Sequence, residues 1–132
     1  MVKVQGKGKM GKTSSDFSSI FKRRLYTFSL NLIEFLDQLP SDNVSRRLGD
    51  QLLRSGTSIL ANYIEAQSAC SKKEFAKYLN ISLRSANESK MWLALLRDSK
   101  RANTEKANVL LDELKEVSNI LASCILKAKG KK

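Results

Sequence analysis

The chain has 132 residues, of which 42% are hydrophobic, and it carries a formal net charge of +11 with no histidine. This length suits one domain with a hydrophobic core and is too short for two, and the hydrophobic content is typical of a folded chain. No apolar run approaches the roughly 18–20 residues that span a bilayer, and the N-terminal segment lacks the apolar stretch of a signal peptide. We therefore expect a cytoplasmic protein with no membrane partner.

Most of the positive charge lies at the two ends of the chain. Residues 1–13 contain four lysines and no acid, and residues 127–132 contain another four lysines and no acid. Both ends lack apolar periodicity, which predicts a flexible basic tail over residues 1–14 and another over 127–132. Such tails bind nucleic acid by neutralising phosphates, but they also serve solubility, so the charge alone does not choose between the two roles.

Four amphipathic helices are predicted between the tails, and no segment has the alternation of a β-strand. The first helix, at about 15–39, begins its apolar pattern at Phe17 and ends before Pro40, the only proline. The second helix, at about 44–69, follows Ser-Asp-Asn at positions 41–43, a sequence typical of a turn and an N-cap.

The third and fourth helices also have recognisable starts. Ser71 and Glu74 have capping-box spacing and predict a third helix at about 72–99. Asn103 is an N-cap candidate for the fourth helix, at about 104–128. Short connections force neighbouring helices to run in opposite directions.

These elements predict an all-α fold, an antiparallel up-down four-helix bundle that spans residues 15–126 as one domain.

The sequence gives no support for an enzyme or a metal centre. Carboxylate-bridged di-iron sites need Glu-x-x-His pairs, zinc sites need several His or Cys ligands, and Ser–His or Cys–His nucleophiles need a histidine. The chain has no histidine, and its only cysteines, Cys70 and Cys124, are distant from one another and lie in apolar helical patterns. We expect both to be reduced core thiols, and we expect no catalytic residue, no metal and no cofactor.

Basic side chains cluster on two of the predicted helices. Three of them fall within about 40° of one another on the third helix, opposite its apolar face. A solvated helix face and a phosphate-binding surface fit this pattern equally well. The candidates for nucleic-acid contact are Lys73, Lys77 and Arg84 on the third helix, with Arg46, Arg47 and Arg54 on the second.

The second helix has an unusual face within residues 52–67, LLRSGTSILANYIEAQ. Opposite its buried face lies a strip of small residues with an arginine at one end and a glutamate three turns later. Small residues allow another backbone to approach closely, so the strip suits a subunit contact as well as a plain surface. The candidates for subunit contact are Arg54, Ser55, Ser58, Ala61, Asn62 and Glu65.

The segments LLRSGTSI, ANYIEAQ, SKKEF and ESKMWL carry a specific resemblance. Over residues 26–126 the chain resembles the four-helix-bundle proteins of the 23S ribosomal RNA intervening-sequence family, which is related to the accessory variability determinant of diversity-generating retroelements. The resemblance implies assembly into rings, typically homopentamers with a central channel, and places the strip residues at or near subunit contacts. One departure is Leu60, where many relatives carry glycine.

In the retroelement branch of that family, the basic ring binds nucleic acid and partners a reverse transcriptase. The present sequence is more similar to the intervening-sequence branch, so a reverse transcriptase is a partner by family analogy only. Our leading hypothesis is a non-enzymatic, ring-forming bundle that binds RNA or DNA through basic helix faces and Lys-rich tails, largely by phosphate contacts. The alternative is a protein-interaction scaffold without nucleic-acid binding, including a reverse-transcriptase accessory role.

Overall fold

The structure, a computed structural model, describes residues 14–130, and within that range it contains four α-helices and no strand. The helices are α1 (Ser14–Asp37), α2 (Asn43–Gln67), α3 (Lys72–Asp98) and α4 (Thr104–Ala128). The all-α prediction is confirmed, and each predicted helix end lies within two residues of the observed one. Most of the predicted tails, residues 1–13 and 131–132, lies outside the described residues.

The helix starts follow from local hydrogen-bond chemistry. Asp42, Ser71 and Asn103 are the N-caps of α2, α3 and α4, and each side chain accepts a hydrogen bond from a backbone N–H in the first turn. At α3, the Glu74 carboxylate also accepts a hydrogen bond from the backbone N–H of Cys70, at 2.8 Å. The predicted capping box therefore forms, with its reciprocal bond displaced by one residue.

The core is built by contacts between successive helices. Among the described residues, each helix packs against the next and α4 packs against α1, whereas the backbones of the diagonal pairs α1–α3 and α2–α4 do not approach closely. Large side chains from all four helices fill the centre and are at most 2% exposed, among them Phe21, Leu32, Leu52, Leu79, Leu93, Leu114 and Leu121. Burying each leucine contributes about 1.5–3 kcal/mol to the free energy of unfolding.

Polar contacts fix the register between the helices. Between α2 and α3 and between α1 and α4, higher residue numbers on one helix pair with lower numbers on the other. The linked pairs include Ser55–Ser89 and Ser58–Ser85 between α2 and α3, and Arg24–Glu113 and Gln38–Lys106 between α1 and α4.

Cys70 and Phe17 are more exposed than the sequence predicts, because each lies close to the end of a helix. Cys70 is exposed, so the prediction of a core thiol there is wrong: α2 ends at Gln67, and the turn that follows carries Cys70 away from the core. Cys124 on α4 is half-buried, and burial raises the pKa of its thiol. Phe17, in the second turn of α1, is also exposed, although its ring stacks on Phe21 with centroids 5.9 Å apart.

Candidate functional site

The three basic candidates on α3 form an exposed row. Lys73, Lys77 and Arg84 are all exposed and span about 16 Å along the helix axis at 1.5 Å per residue. None of the three lies within ion-pair distance of a carboxylate in the part of the chain that the structure describes. The Lys77 ammonium lies 5.4 Å from the centroid of the Tyr78 ring, close enough for a cation–π contact. We call these three residues the α3 cation row.

Two of the basic candidates on α2 lie too far from this row to form one patch with it. Arg46, Arg47 and Arg54 are exposed, but the α2–α3 register places Arg46 and Arg47 level with the C-terminal end of α3, about 20 Å along the axis from Arg84. Arg54 lies about 9 Å from Arg84 along the axis. Neighbouring polar side chains engage two of them. The Arg47 Nε donates to Asn43 Oδ1 at 3.1 Å, and an Arg54 Nη donates to Gln51 Oε1 at 3.2 Å.

A further group of cations lies at the α3–α4 turn, beside the end of the bundle that holds Arg46. Its members, Arg97, Lys100 and Arg101, border or adjoin a cavity of about 480 Å³. All three cations lie in the run RDSKRAN over residues 97–103, and this run is the sequence pattern from which the group could have been predicted. Several of these cations are already paired, which makes this group a weaker anion site than the α3 cation row.

The pairing at this turn involves two carboxylates. The Arg97 Nε donates to Asp98 at 2.9 Å, and this bond is the main cause of the lowered pKa of the Asp98 carboxyl. The Arg101 Nε is buried without a hydrogen-bond partner within the described residues, although it lies 3.7 Å from a carboxylate oxygen of Asp42.

The small strip of α2 lies partly inside the four-helix fold, where it packs against α3. Ser55 is only 4% exposed, and its hydroxyl lies 2.7 Å from that of Ser89. Ser55 is therefore covered by α3, and its role in a subunit contact stays a prediction. The physical reason is that α3 also presents small residues here, so the two helices approach closely along a shared seam.

The two polar residues beside Ser55 also contribute to this seam. The Ser58 hydroxyl accepts hydrogen bonds from the Ser85 hydroxyl and from the Asn62 amide, both at 2.9 Å. The Asn62 amide additionally donates to the Ser58 carbonyl at 2.9 Å. Ser58 and Asn62 are half-buried, so only one edge of each is left for contact with another subunit.

The remaining strip residues, Arg54, Ala61 and Glu65, are exposed on α2. Beside them runs a set of exposed apolar side chains that the sequence reasoning did not single out. A cavity of about 330 Å³ on the same face is lined by Leu60, the residue that departs from the family pattern. We call this set the α1–α2 apolar strip; its members are Tyr26 and Ile33 on α1 with Leu53 and Ile64 on α2.

Residues 14–130 contain no cluster of three or more His, Cys, Asp or Glu side chains that could hold a metal ion. No helix in that range combines the length and hydropathy that a membrane span requires.

The protein is therefore an all-α helical protein, and its candidate functional features are two exposed surfaces, the α3 cation row and the α1–α2 apolar strip. The chain belongs to the 23S rRNA-intervening sequence protein family, whose model matches residues 19–123. It is also similar to a crystal structure of a protein of unknown function from the S23 ribosomal protein family of Bacteroides thetaiotaomicron VPI-5482. The two chains are 31% identical with a TM-score of 0.76, over 82% of this chain and 96% of that chain. No curated protein matches the chain.

Proposed function

We propose that this chain forms a non-enzymatic, cytoplasmic homo-oligomer of antiparallel four-helix bundles that binds RNA or DNA mainly through phosphate contacts. The observation that carries the proposal is the α3 cation row. Lys73, Lys77 and Arg84 point into solvent at helical spacing without a carboxylate partner among the described residues, so their charges are available to phosphates. A helix face of this kind contacts the backbone and reads little sequence.

Two observations support the assembly part of the proposal. The opposed residue numbering of the linked pairs supports an antiparallel bundle. The α1–α2 apolar strip supports self-association, because contiguous exposed apolar patches commonly mark interaction sites. The family resemblance favours a homopentameric ring, which would repeat the cation row around an axis and raise avidity for a long polyanion.

The first test replaces the α3 cation row. In the triple variant Lys73→Gln, Lys77→Gln, Arg84→Gln, the affinity for a labelled single-stranded RNA should fall, and the salt dependence of that affinity should flatten. Each neutralised phosphate contributes about −0.7 to the slope of log K against log salt, so losing three contacts should change the slope by about 2. Fluorescence anisotropy across a salt titration measures both quantities.

A matched control removes three exposed charges from α1 and α4 instead, with Lys22→Gln, Lys106→Gln and Lys115→Gln. This variant has the same net charge as the first and should keep a slope closer to that of the wild type. If the two variants lose affinity equally, net charge alone governs binding and the cation row is not the site.

A third variant separates the helix faces from the N-terminal segment by changing its four lysines to glutamine. Persistent binding with a steep slope would assign the site to the helices. If the wild-type protein shows no binding near physiological salt but still assembles, the alternative function applies: a protein-interaction scaffold, which the α1–α2 apolar strip favours.

A further inference from the structure

A groove with both apolar and acidic character runs between α1 and α4. It consists of one cavity of about 500 Å³ and an adjoining one of about 230 Å³, which share Asn31, Val109 and Leu110 as lining residues. Nearly buried Phe28 and Leu110 line it, whereas Val109 is 48% exposed. The groove therefore offers apolar surface to an occupant along about half the length of α1.

Carboxylates surround this apolar surface. Glu34, Asp112 and Glu116 line the groove, are exposed, and lie in no salt bridge within the described residues. Glu116 interacts electrostatically with Arg24, and Lys106 also lines the groove, where its ammonium donates to the Gln38 side chain. Glu113 is already engaged, since its two oxygens accept hydrogen bonds from the Arg24 guanidinium at 2.7 and 2.9 Å. The lining of the groove thus carries four carboxylates against two cations, Arg24 and Lys106, a negative balance on a chain with a net charge of +11.

The chain itself contains a segment with the complementary composition. Residues 1–13, MVKVQGKGKMGKT, carry four lysines and no acid, together with Val2, Val4 and Met10. The segment is joined directly to Ser14, the first residue of α1, and α1 forms one wall of the groove.

The segment is long enough to cover the groove. Thirteen extended residues reach about 43 Å at 3.3 Å per residue. On the α1 side, Gln38 is the last residue of the groove lining, and its distance from Ser14 along the helix axis is about 36 Å at 1.5 Å per residue, so the segment can turn back and follow the groove to its far end.

We infer that residues 1–13 of each chain bind in the α1–α4 groove of the same chain, with their lysines paired to Asp112, Glu116 and Glu34 and their apolar side chains placed on Ile20 and Val109. The pairing is electrostatic and partly apolar, and it weakens as salt screens the charges. It holds a basic segment on the opposite side of the bundle from the α2–α3 seam. The inference does not depend on nucleic-acid binding.

Zero-length carbodiimide cross-linking of the full-length protein tests this directly, because it joins a lysine to a carboxylate only where the two are in contact. After proteolysis and mass spectrometry at low salt, links from residues 1–13 should concentrate on Asp112, Glu116 and Glu34. Glu88 is the internal control: it is exposed and lies on α3, the helix diagonal to α1. Links to Glu88 as frequent as those to Asp112 and Glu116 would reflect tethering alone and overturn the inference.

Isotope mixing identifies the source of the segment. Unlabelled and nitrogen-15-labelled chains are unfolded together, refolded and cross-linked. Links within one isotope are expected, whereas abundant mixed-isotope links would show that the groove receives the segment of a second copy and would overturn the assignment to the same chain.

An independent measurement uses charge reversal in the groove. In the double variant Asp112→Lys, Glu116→Lys, residues 1–13 should be released from the groove. Limited trypsin digestion at Lys7, Lys9 and Lys12 should therefore become several-fold faster. The control, Asp50→Lys with Glu88→Lys, adds the same charge at exposed positions on α2 and α3 and should leave the rate of cleavage unchanged. Equal rates in both double variants and the wild type would contradict docking.

Discussion

At the scale of single residues, buried hydroxyl groups link α2 to α3. The Ser89 hydroxyl donates to the Ser85 carbonyl at 2.8 Å, which leaves its oxygen to accept from the Ser55 hydroxyl. A third contact runs from the Ser82 hydroxyl to the Ile59 carbonyl at 2.8 Å. Each of these buried polar groups has a partner, so the seam is polar without leaving a hydroxyl unsatisfied.

We expect Ser89→Ala to lower the free energy of unfolding by about 1–3 kcal/mol, because the Ser55 hydroxyl then loses its best acceptor in a buried position. The double variant Ser55→Ala, Ser89→Ala should lose less than the sum of the two single variants, since it leaves neither partner stranded. Urea unfolding monitored by circular dichroism measures all three. Ser123→Ala at an exposed position of α4 is the control, and strictly additive losses at Ser55 and Ser89 would contradict the coupling.

The N-cap of α2 predicts a dependence of stability on pH. The Asp42 carboxylate accepts hydrogen bonds from the hydroxyl and the backbone N–H of Ser45, and these bonds, helped by Arg101, hold its pKa below the ordinary value of 3.8. Because the folded-state pKa is the lower one, the stabilisation is complete above pH 3.8 and is lost as pH falls through the folded-state pKa.

Asp42→Asn keeps an N-cap side chain but removes this titration. The variant should therefore lose stability less steeply than the wild type below pH 3.8, as measured by thermal unfolding at a series of pH values. Ser45→Ala, which removes the strongest hydrogen bond to the carboxylate, should give an intermediate slope. Parallel curves for wild type and Asp42→Asn would refute the assignment.

At the scale of helices, the close approach of α1 and α2 depends on a glycine. A Cβ at position 56 would overlap the Cδ2 methyl of Leu32, a fully buried core residue. At Gly49, by contrast, the nearest atom would be Leu39 Cδ1 at 3.1 Å, and Leu39 is only half-buried, with room to adjust.

Alanine at position 56 should gain roughly 1 kcal/mol in helix propensity relative to glycine. Overpacking against Leu32 should cost about 1–3 kcal/mol and exceed this gain, so Gly56→Ala should lower the free energy of unfolding. Gly49→Ala in the same helix is the matched comparison and should be close to neutral, because that gain offsets a milder contact. Chemical denaturation of both variants decides between these outcomes. Equal stability changes at the two positions would show that helix propensity, and not the Leu32 contact, governs them.

The helices could be predicted because their determinants are local. Apolar periodicity and the caps at Asp42, Ser71 and Asn103 lie within each segment, and they gave the helix bounds to within two residues. The burial of Ser55 against α3 has a tertiary origin: a helical wheel detects a second packing face but does not say whether α3 or another subunit covers it. Serines at 82, 85 and 89 were visible in the sequence, yet their pairing required the register between the two helices.

At the scale of the whole molecule, the candidate surfaces were only partly predictable. The α3 cation row follows from spacing on one helix, which a sequence specifies. The α1–α2 apolar strip and the acidic groove each combine residues from two helices that are distant in sequence, so only the fold brings them together.

For the assembly, we expect Ile64→Glu to lower the native mass towards that of the 14.8 kDa monomer, because it places a charge in the apolar strip. Arg54→Glu and Glu65→Arg, beside the strip, should disturb the oligomer in the same direction. Size-exclusion chromatography with light scattering measures the mass. Met91→Glu on the exposed face of α3 is the control, and an unchanged mass in all the strip variants would exclude this face from the subunit contact.

The seam between α2 and α3 also constrains how this chain can diverge. The loss of either hydroxyl removes the bond between Ser55 and Ser89; Ser89 then keeps its bond to the Ser85 carbonyl, whereas Ser55 loses its nearest acceptor in a buried position. Neutral drift at these two sites therefore has to pass through a less stable intermediate or change both together. Among homologous chains, positions 55 and 89 should accordingly vary as a pair, polar with polar or alanine with alanine, even where the surfaces around them have diverged beyond recognition.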